Sequence, residues 1–461
     1  MIRLPRPILY ALSVTALITS VLDCTPPEVP KPSRDPRTQK WLDRARSSYR
    51  VVDIDDASDA IEEALRAAPD DLEVRMVASQ VALAKLDYAK TIKLSEGVQT
   101  SEAYAIRGRA YWYQGDVEGA GRELHLLLRD PDIHDNWAKS VLQLINRGSG
   151  RKPFTVTGNI VAMTEMPRIR GTAMVIPIEV DGEQGLGMLS TSTAEVVLDS
   201  SQRREPSWVS IRIAGRVEFH DVPALTQDLS GVARQLGIPS IKALLGVNFL
   251  RHANVTFDFL AQQFVVRRFD PPRPPNATDV PLAYIRGGGM TLRSTLKAEN
   301  GQTAALMIDT SMSFPIALDP AGWKKAGVDV ATLREVPGEP KLKQGVVPVV
   351  RLGSFDEPQI PGVSGVDLTS IEDTLGIDLD GVLGSGLLAG FRITLGDSGR
   401  MMWVEEEMIS TGPAAGPQPQ PGGQGPDGAV MPPPPPPPSS TAPPLQPAPT
   451  APRNNGPKGP R

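Results

Sequence analysis

One β-type unit occurs twice in this chain, and only one copy carries an acid at its turn. Residues 188–199 read MLSTSTAEVVLD, and residues 307–319 read MIDTSMSFPIALD. Aligned on Met188 and Met307, Ser190 falls opposite Asp309 and Thr191 opposite Thr310. A second pair of blocks comes later in the same order. LLGVNFL at 244–250 with NVTFD at 254–258 answers VLGSGLL at 382–388 with FRITL at 391–395. Two paired blocks in one order indicate an internal duplication. Around them lie short runs rich in β-branched residues, at 174–180, 208–213 and 255–259, then at 290–296, 304–308 and 346–352. Many short strands separated by Gly- and Asp-containing turns predict barrels or sandwiches rather than a parallel α/β sheet.

These motifs resemble those of the aspartic protease family, in both its retropepsin-like and pepsin-like branches. That family pairs two β lobes, each giving one Asp from a hydrophobic–hydrophobic–Asp-Thr-Gly turn, with a hydrophobic–hydrophobic–Gly block near the lobe's end. The resemblance implies two lobes, at 153–269 and 277–408, with Asp309 and Thr310 at the catalytic position of the second and Ser190 at the partner position of the first. It also implies that Thr191 and Thr310 bond across the lobe junction, and that Gly246 and Gly384 pack behind the turns.

Hydrolysis by such a site needs one carboxylate as base and one carboxylic acid, two close carboxyls sharing a proton. Ser190 cannot share a proton in that way, so Asp309 is expected to behave as an ordinary carboxylate satisfied by donors in its own turn. Loss of one member of a catalytic unit costs orders of magnitude in rate. Ser192 and Ser311 stand where the family has Gly, and Met312 where a small residue is usual. A Cβ at the glycine positions is expected to distort the turns.

Ahead of the β region, residues 37–149 have helical periodicity. The clearest unit is Tyr104, Gly108 and Tyr111, then Gly115, Ala120, Leu124, Leu127 and Pro131. Trp41, Ala45, Ala57, Ile61, Ala64 and Pro69 make a partial earlier match, and Val74, Ala78, Val81 and Leu94 a weaker one. This spacing resembles the tetratricopeptide repeat, in which small residues let paired helices approach while bulky ones interlock. Residues 137–145 read as a capping helix stopped by Gly148. Such an array offers a concave surface to a peptide or protein, or packs as a spacer against the β region. Asp53, Asp55, Asp56 and Asp59 lack the Gly and Glu of a calcium loop and read as a solvated loop capping a helix at Ala57. Asp378 and Asp380 read as turn residues.

The N-terminus reads as a targeting segment, residues 1–24: Arg3 and Arg6, an apolar run at 8–22, then Asp23 and Cys24, the only cysteine of the chain. Residues 21–24 resemble a bacterial lipobox with Cys24 as the lipidated residue, and residues 25–36 a proline-rich tether. One cysteine leaves no disulfide within the chain. Residues 412–461 are of low complexity and hold much of the excess among 46 prolines. A segment of this kind cannot bury a core and is expected to be extended and disordered. The fold class expected is therefore multidomain α + β: a helical repeat domain, two all-β acid-protease-like barrel lobes and a disordered tail.

A formal charge of −5, with no basic block interleaved with aromatics, argues against nucleic acid, and four scattered histidines suit no zinc site. No cofactor or metal is expected. The function expected is that of an exported, lipid-anchored protein of the cell envelope or periplasm. It binds a peptide or protein through the repeats or the inter-lobe cleft, with a degenerate protease-like module that does not hydrolyse. Two alternatives stand beside it: an active aspartic peptidase using Asp309, by dimerisation or with Ser190, and a structural envelope protein.

Overall fold

A computed structural model describes residues 34–169, 173–297 and 301–406; the apolar run, Cys24 and the tail at 412–461 lie outside the described residues. Among the described residues seven helices come first: α1 Pro36–Arg50, α2 Ile54–Ala67, α3 Leu72–Ala84, α4 Tyr88–Ser95, α5 Ser101–Gln114, α6 Val117–Leu127 and α7 Asn136–Arg147. Each begins at a short polar side chain that accepts first-turn N–H groups: Asp35, Asp53, Asp71, Asp87, Thr100, Asp116 and Asp135. Such caps satisfy donors the helix itself leaves free. The acidic run at 53–59 is thus no loop. Asp53 is the cap of α2, and Asp55, Asp56 and Asp59 lie on that helix. The small positions do close the pairs: a Cβ on Gly108 would sit 2.6 Å from Leu124 Cδ2.

The duplicated blocks adopt the same strand pairing. Glu183–Leu189 runs parallel to Ala243–Leu245, which runs antiparallel to Val196–Asp199. Likewise Thr303–Asp309 runs parallel to Gly381–Gly384, which runs antiparallel to Ile316–Leu318. Leu189 opposite Leu245 corresponds to Ile308 opposite Leu383.

Two features depart from the expectation of separate all-β lobes. Helices Val247–His252 and Ser385–Leu388 come directly after the glycine blocks, and Ser230–Leu236, Pro320–Lys325 and Thr369–Leu375 add three more. The first two turn the chain where Val247 N–H bonds Thr193 O (2.8 Å) and Ser385 N–H bonds Met312 O (2.9 Å). In addition, one six-stranded sheet draws on both halves, in the order Thr278–Pro281, Met401–Glu406, Phe391–Gly396, Thr256–Asp258, Gln263–Arg267, Val161–Glu165. At its middle Thr256 faces Thr394, and their buried hydroxyls are 2.8 Å apart. The second-block repeats therefore pair with each other, which no local pattern announces.

Helices and β region share a core. One buried cluster joins Leu42, Ala45, Ile61 and Val81 of α1–α3 to Ile285, Met307, Leu379 and Val382. Full burial of an aliphatic side chain is worth roughly 1.5–3 kcal/mol. Exposed ion pairs such as Arg50–Asp378 are each worth about 0–1 kcal/mol, so packing holds the helices against the strand that ends in Asp309.

Candidate functional site

Asp309 closes the strand Thr303–Asp309, and Ser190 comes immediately after Glu183–Leu189, so the two turns occupy equivalent places. Their hydrogen bonds stay local. Asp309 Oδ1 accepts from Ser311 N–H (2.8 Å) and Ser311 Oγ–H (2.5 Å). Ser190, 2% exposed, lies with its Oγ 3.2 Å from Ser192 Oγ and 3.0 Å from Thr193 Oγ1. A lone carboxylate bonded to its neighbour and a hydroxyl cluster opposite do not make a proton-sharing pair.

Between the turns the two threonines interlock. Thr191 N–H donates to Thr310 Oγ1 (3.1 Å), and Thr310 N–H donates to Thr191 Oγ1 (3.0 Å). Each hydroxyl then donates to the opposite strand, Thr191 to Ile308 O (2.8 Å) and Thr310 to Leu189 O (3.0 Å). All of this is buried. Behind the turns, a Cβ on Gly246 would lie 2.1 Å from Glu195 O, and one on Gly384 would lie 2.0 Å from Phe314 O. The expected distortion at Ser192 and Ser311 is absent. Neither has a positive φ, and both turns keep matching bonds to the helices behind them. Ser311 instead supplies the donors that occupy Asp309. Met312 has a place as well: its carbonyl accepts from Ser385, and its side chain packs on the cluster shared with α1–α3.

Glu195 had no role in the sequence pattern. Its carbonyl occupies beside Gly246 the place that the Phe314 carbonyl takes beside Gly384, so an acid stands at a position apolar in the other copy. That substitution was the available signal. The residue is 4% exposed, and its Oε1 accepts from Trp112 Nε1 of α5 (3.2 Å) and Trp137 Nε1 of α7 (3.1 Å). Asn248 and Tyr113 also approach it. The Tyr113 ring meanwhile lies against Gly287 and Gly288, and Gly288 lies against Ala194. The repeats thus cover the far side of the first turn. Trp208 Nε1 adds a bond to Leu144 O (2.8 Å) of α7.

Burial pushes the Glu195 carboxyl above the usual glutamate range, against the pull of the two indole donors. The folded protein therefore holds this proton to higher pH than the unfolded chain does. The stability it contributes is complete below the unfolded value and is lost as pH rises through the folded one. Glu195→Gln keeps an acceptor for both indoles and removes the ionisation. The urea midpoint of the variant should fall less than that of the parent between about pH 4 and about pH 8, the parent losing at most about 1.4 kcal/mol per pH unit to this group. Identical slopes would refute the assignment. Nearby His252 stacks on Phe154 at 4.2 Å between ring centroids.

Asp380 and Asp378, read as turn residues, bind the protein itself. Asp380 Oδ2 accepts from Ala305 N–H and Lys325 Nζ (both 2.7 Å), and Asp378 pairs with Arg50 at 2.7 Å. Among the described residues no group of three or more His, Cys, Asp or Glu is placed to hold a metal ion.

No family model matches the sequence, and no curated protein matches it. Among solved structures the chain is similar to a retropepsin-like aspartic protease from Rickettsia conorii, at 20% identity over 30% of this chain and 95% of that one, with a TM-score of 0.21. It is also similar to the Sgt2 TPR domain from Aspergillus fumigatus, at 18% identity over 24% of this chain and 79% of that one, TM-score 0.23. The Arabidopsis OM64 TPR domain matches at 14% identity over 24% of this chain and 95% of that one, TM-score 0.22.

Proposed function

We propose that this chain is a binding protein with a protease-like module that does not hydrolyse: exported, lipid-anchored through Cys24, and holding a peptide or protein partner by its helical repeats. The observation that carries this reading is the local closure of both turns. Asp309 is engaged by Ser311 and Ser190 by Ser192 and Thr193, while the threonine bonds that hold the junction together persist. A scaffold has thus kept its frame without the second acid. Repeats resembling those of TPR domains, packed over the first turn, fit an interaction role better than a substrate channel.

The peptidase alternative by dimerisation needs two Asp309 carboxylates to meet across a junction that Thr191 already fills within one chain. Incubating the full chain with an unfolded protein from acidic to neutral pH, beside Asp309→Asn, should give no cleavage in either sample. Cleavage by the parent that disappears in the variant would establish the peptidase and end this reading.

A further inference from the structure

Between the inner helices of the repeat array and the second half of the β region lies a groove of about 540 Å³, within the range of about 300–1,000 Å³ usual for ligand sites. Its apolar wall includes the half-buried Ala105 and Ile133 from the helical region and Leu375 from the β region. Its charged groups are matched with one exception. Arg46 pairs with Glu73, Arg50 with Asp378 at 2.7 Å, and Arg109 with Asp135 at 3.2 Å, while Glu102 accepts from Gln80 at 2.6 Å. Arg286, in the turn joining strands Ala283–Ile285 and Gly289–Thr295, also lines the groove. Its guanidinium is exposed, its charge bears on the Tyr49 phenol that also lines the groove, and among the described residues it has no ion pair. The turn that presents it is fixed, because Gly287 and Gly288 lie against Tyr113 of α5.

We infer that the helices and the Arg286 turn form one shared binding groove, and that its ligand is an extended peptide of apolar residues bearing a single acidic group for Arg286. The inference rests on the binding reading above and adds the chemistry of the partner. Apolar side chains cover the wall of Ala105, Ile133 and Leu375. An unpaired guanidinium beside that wall favours a carboxylate, because a charge-assisted bond is stronger than a neutral one. Glu102 on the helical wall disfavours a run of acids, so one acidic group fits better than several. Because Arg286 comes from outside the repeats, the β region is part of the site rather than a passenger, and the repeats alone are incomplete.

The test uses the full chain and short fluorescein-labelled peptides of alternating leucine and serine. One carries a central glutamate, one glutamine and one lysine, all amidated at the C-terminus; a further glutamine peptide keeps its free C-terminal carboxylate. Fluorescence anisotropy should show the glutamate peptide binding about tenfold tighter than the amidated glutamine peptide, the size of one charge-assisted bond. Arg286→Lys should keep that preference, and Arg286→Glu should transfer it to the lysine peptide. Tight binding of the free-carboxylate glutamine peptide would identify a chain terminus as the acid recognised, within the same assignment. Equal binding of glutamate and amidated glutamine peptides, binding by none, or a preference unchanged in Arg286→Glu would overturn it. Those outcomes leave the non-hydrolytic reading intact, whereas cleavage of a bound peptide would remove that reading and spare the groove.

Discussion

Gly246→Ala and Gly384→Ala each lower stability by at least about 4 kcal/mol, a size reserved for severe steric or polar faults. The added Cβ would meet main-chain oxygens at 2.1 Å and 2.0 Å, with second oxygens at 2.6 Å (Thr193 O) and 2.7 Å (Met312 O). Main chain cannot rotate aside as a side-chain tip can, so the turn carrying Ser190 or Asp309 must move as a body. That movement pulls on the threonine interlock and, in the first half, on Glu195 under the two tryptophans. Gly231→Ala is the control. Gly231 lies on the helix Ser230–Leu236 with nothing within 4 Å of its added Cβ and no positive φ. There the substitution should be neutral or stabilising by about 0.4–1 kcal/mol, through the unfolded chain. Urea midpoints of the three variants decide the matter. A loss near 1 kcal/mol at Gly246 would mean that the two turns are looser than the carbonyl contacts require.

Thr310→Val destabilises by about 3 kcal/mol, because it strands two buried groups while changing little volume. Thr191 N–H loses its acceptor and Leu189 O loses its donor. Each unsatisfied buried group costs about 1–3 kcal/mol. Thr191→Val should do the same through Thr310 N–H and Ile308 O. The double variant should cost less than the sum by about 0.5–3 kcal/mol, since the first loss already opens the junction to water and the second then strands less. Strict additivity in a double-mutant cycle would show that the four bonds do not act as one unit. Neither variant touches the groove residues, so peptide affinity of the folded protein should stay unchanged while stability falls.

The repeated turn was legible because duplication puts the same residues in the same order twice. From Met188 and Met307 onward, the alignment placed Ser190 against Asp309, the threonines against each other and the glycines behind the turns. All these pairs occupy equivalent positions in the strand pairing. Helix starts were half legible. The acids at 53–59 looked like a loop, since a helix cap and its acidic first turn have the composition of a solvated turn. The serines at 192 and 311 misled in the other direction. A glycine expected from resemblance is a requirement only where φ is positive or space is absent, and neither holds at those two positions.

By itself the sequence determined the local and the repeated: helical spacing, strand periodicity, the doubled unit and the missing second acid. These depend on residues a few positions apart, or on comparing one copy with the other. Only the tertiary structure decided what lies between distant segments. It set Thr256 against Thr394 in a sheet drawn from both halves, Glu195 beneath Trp112 and Trp137, and Arg286 beside the helices in one groove. Such contacts are chosen by burial of whole faces and by satisfaction of buried polar groups. Neither leaves a period in the sequence, because the partners are separated by tens to hundreds of residues.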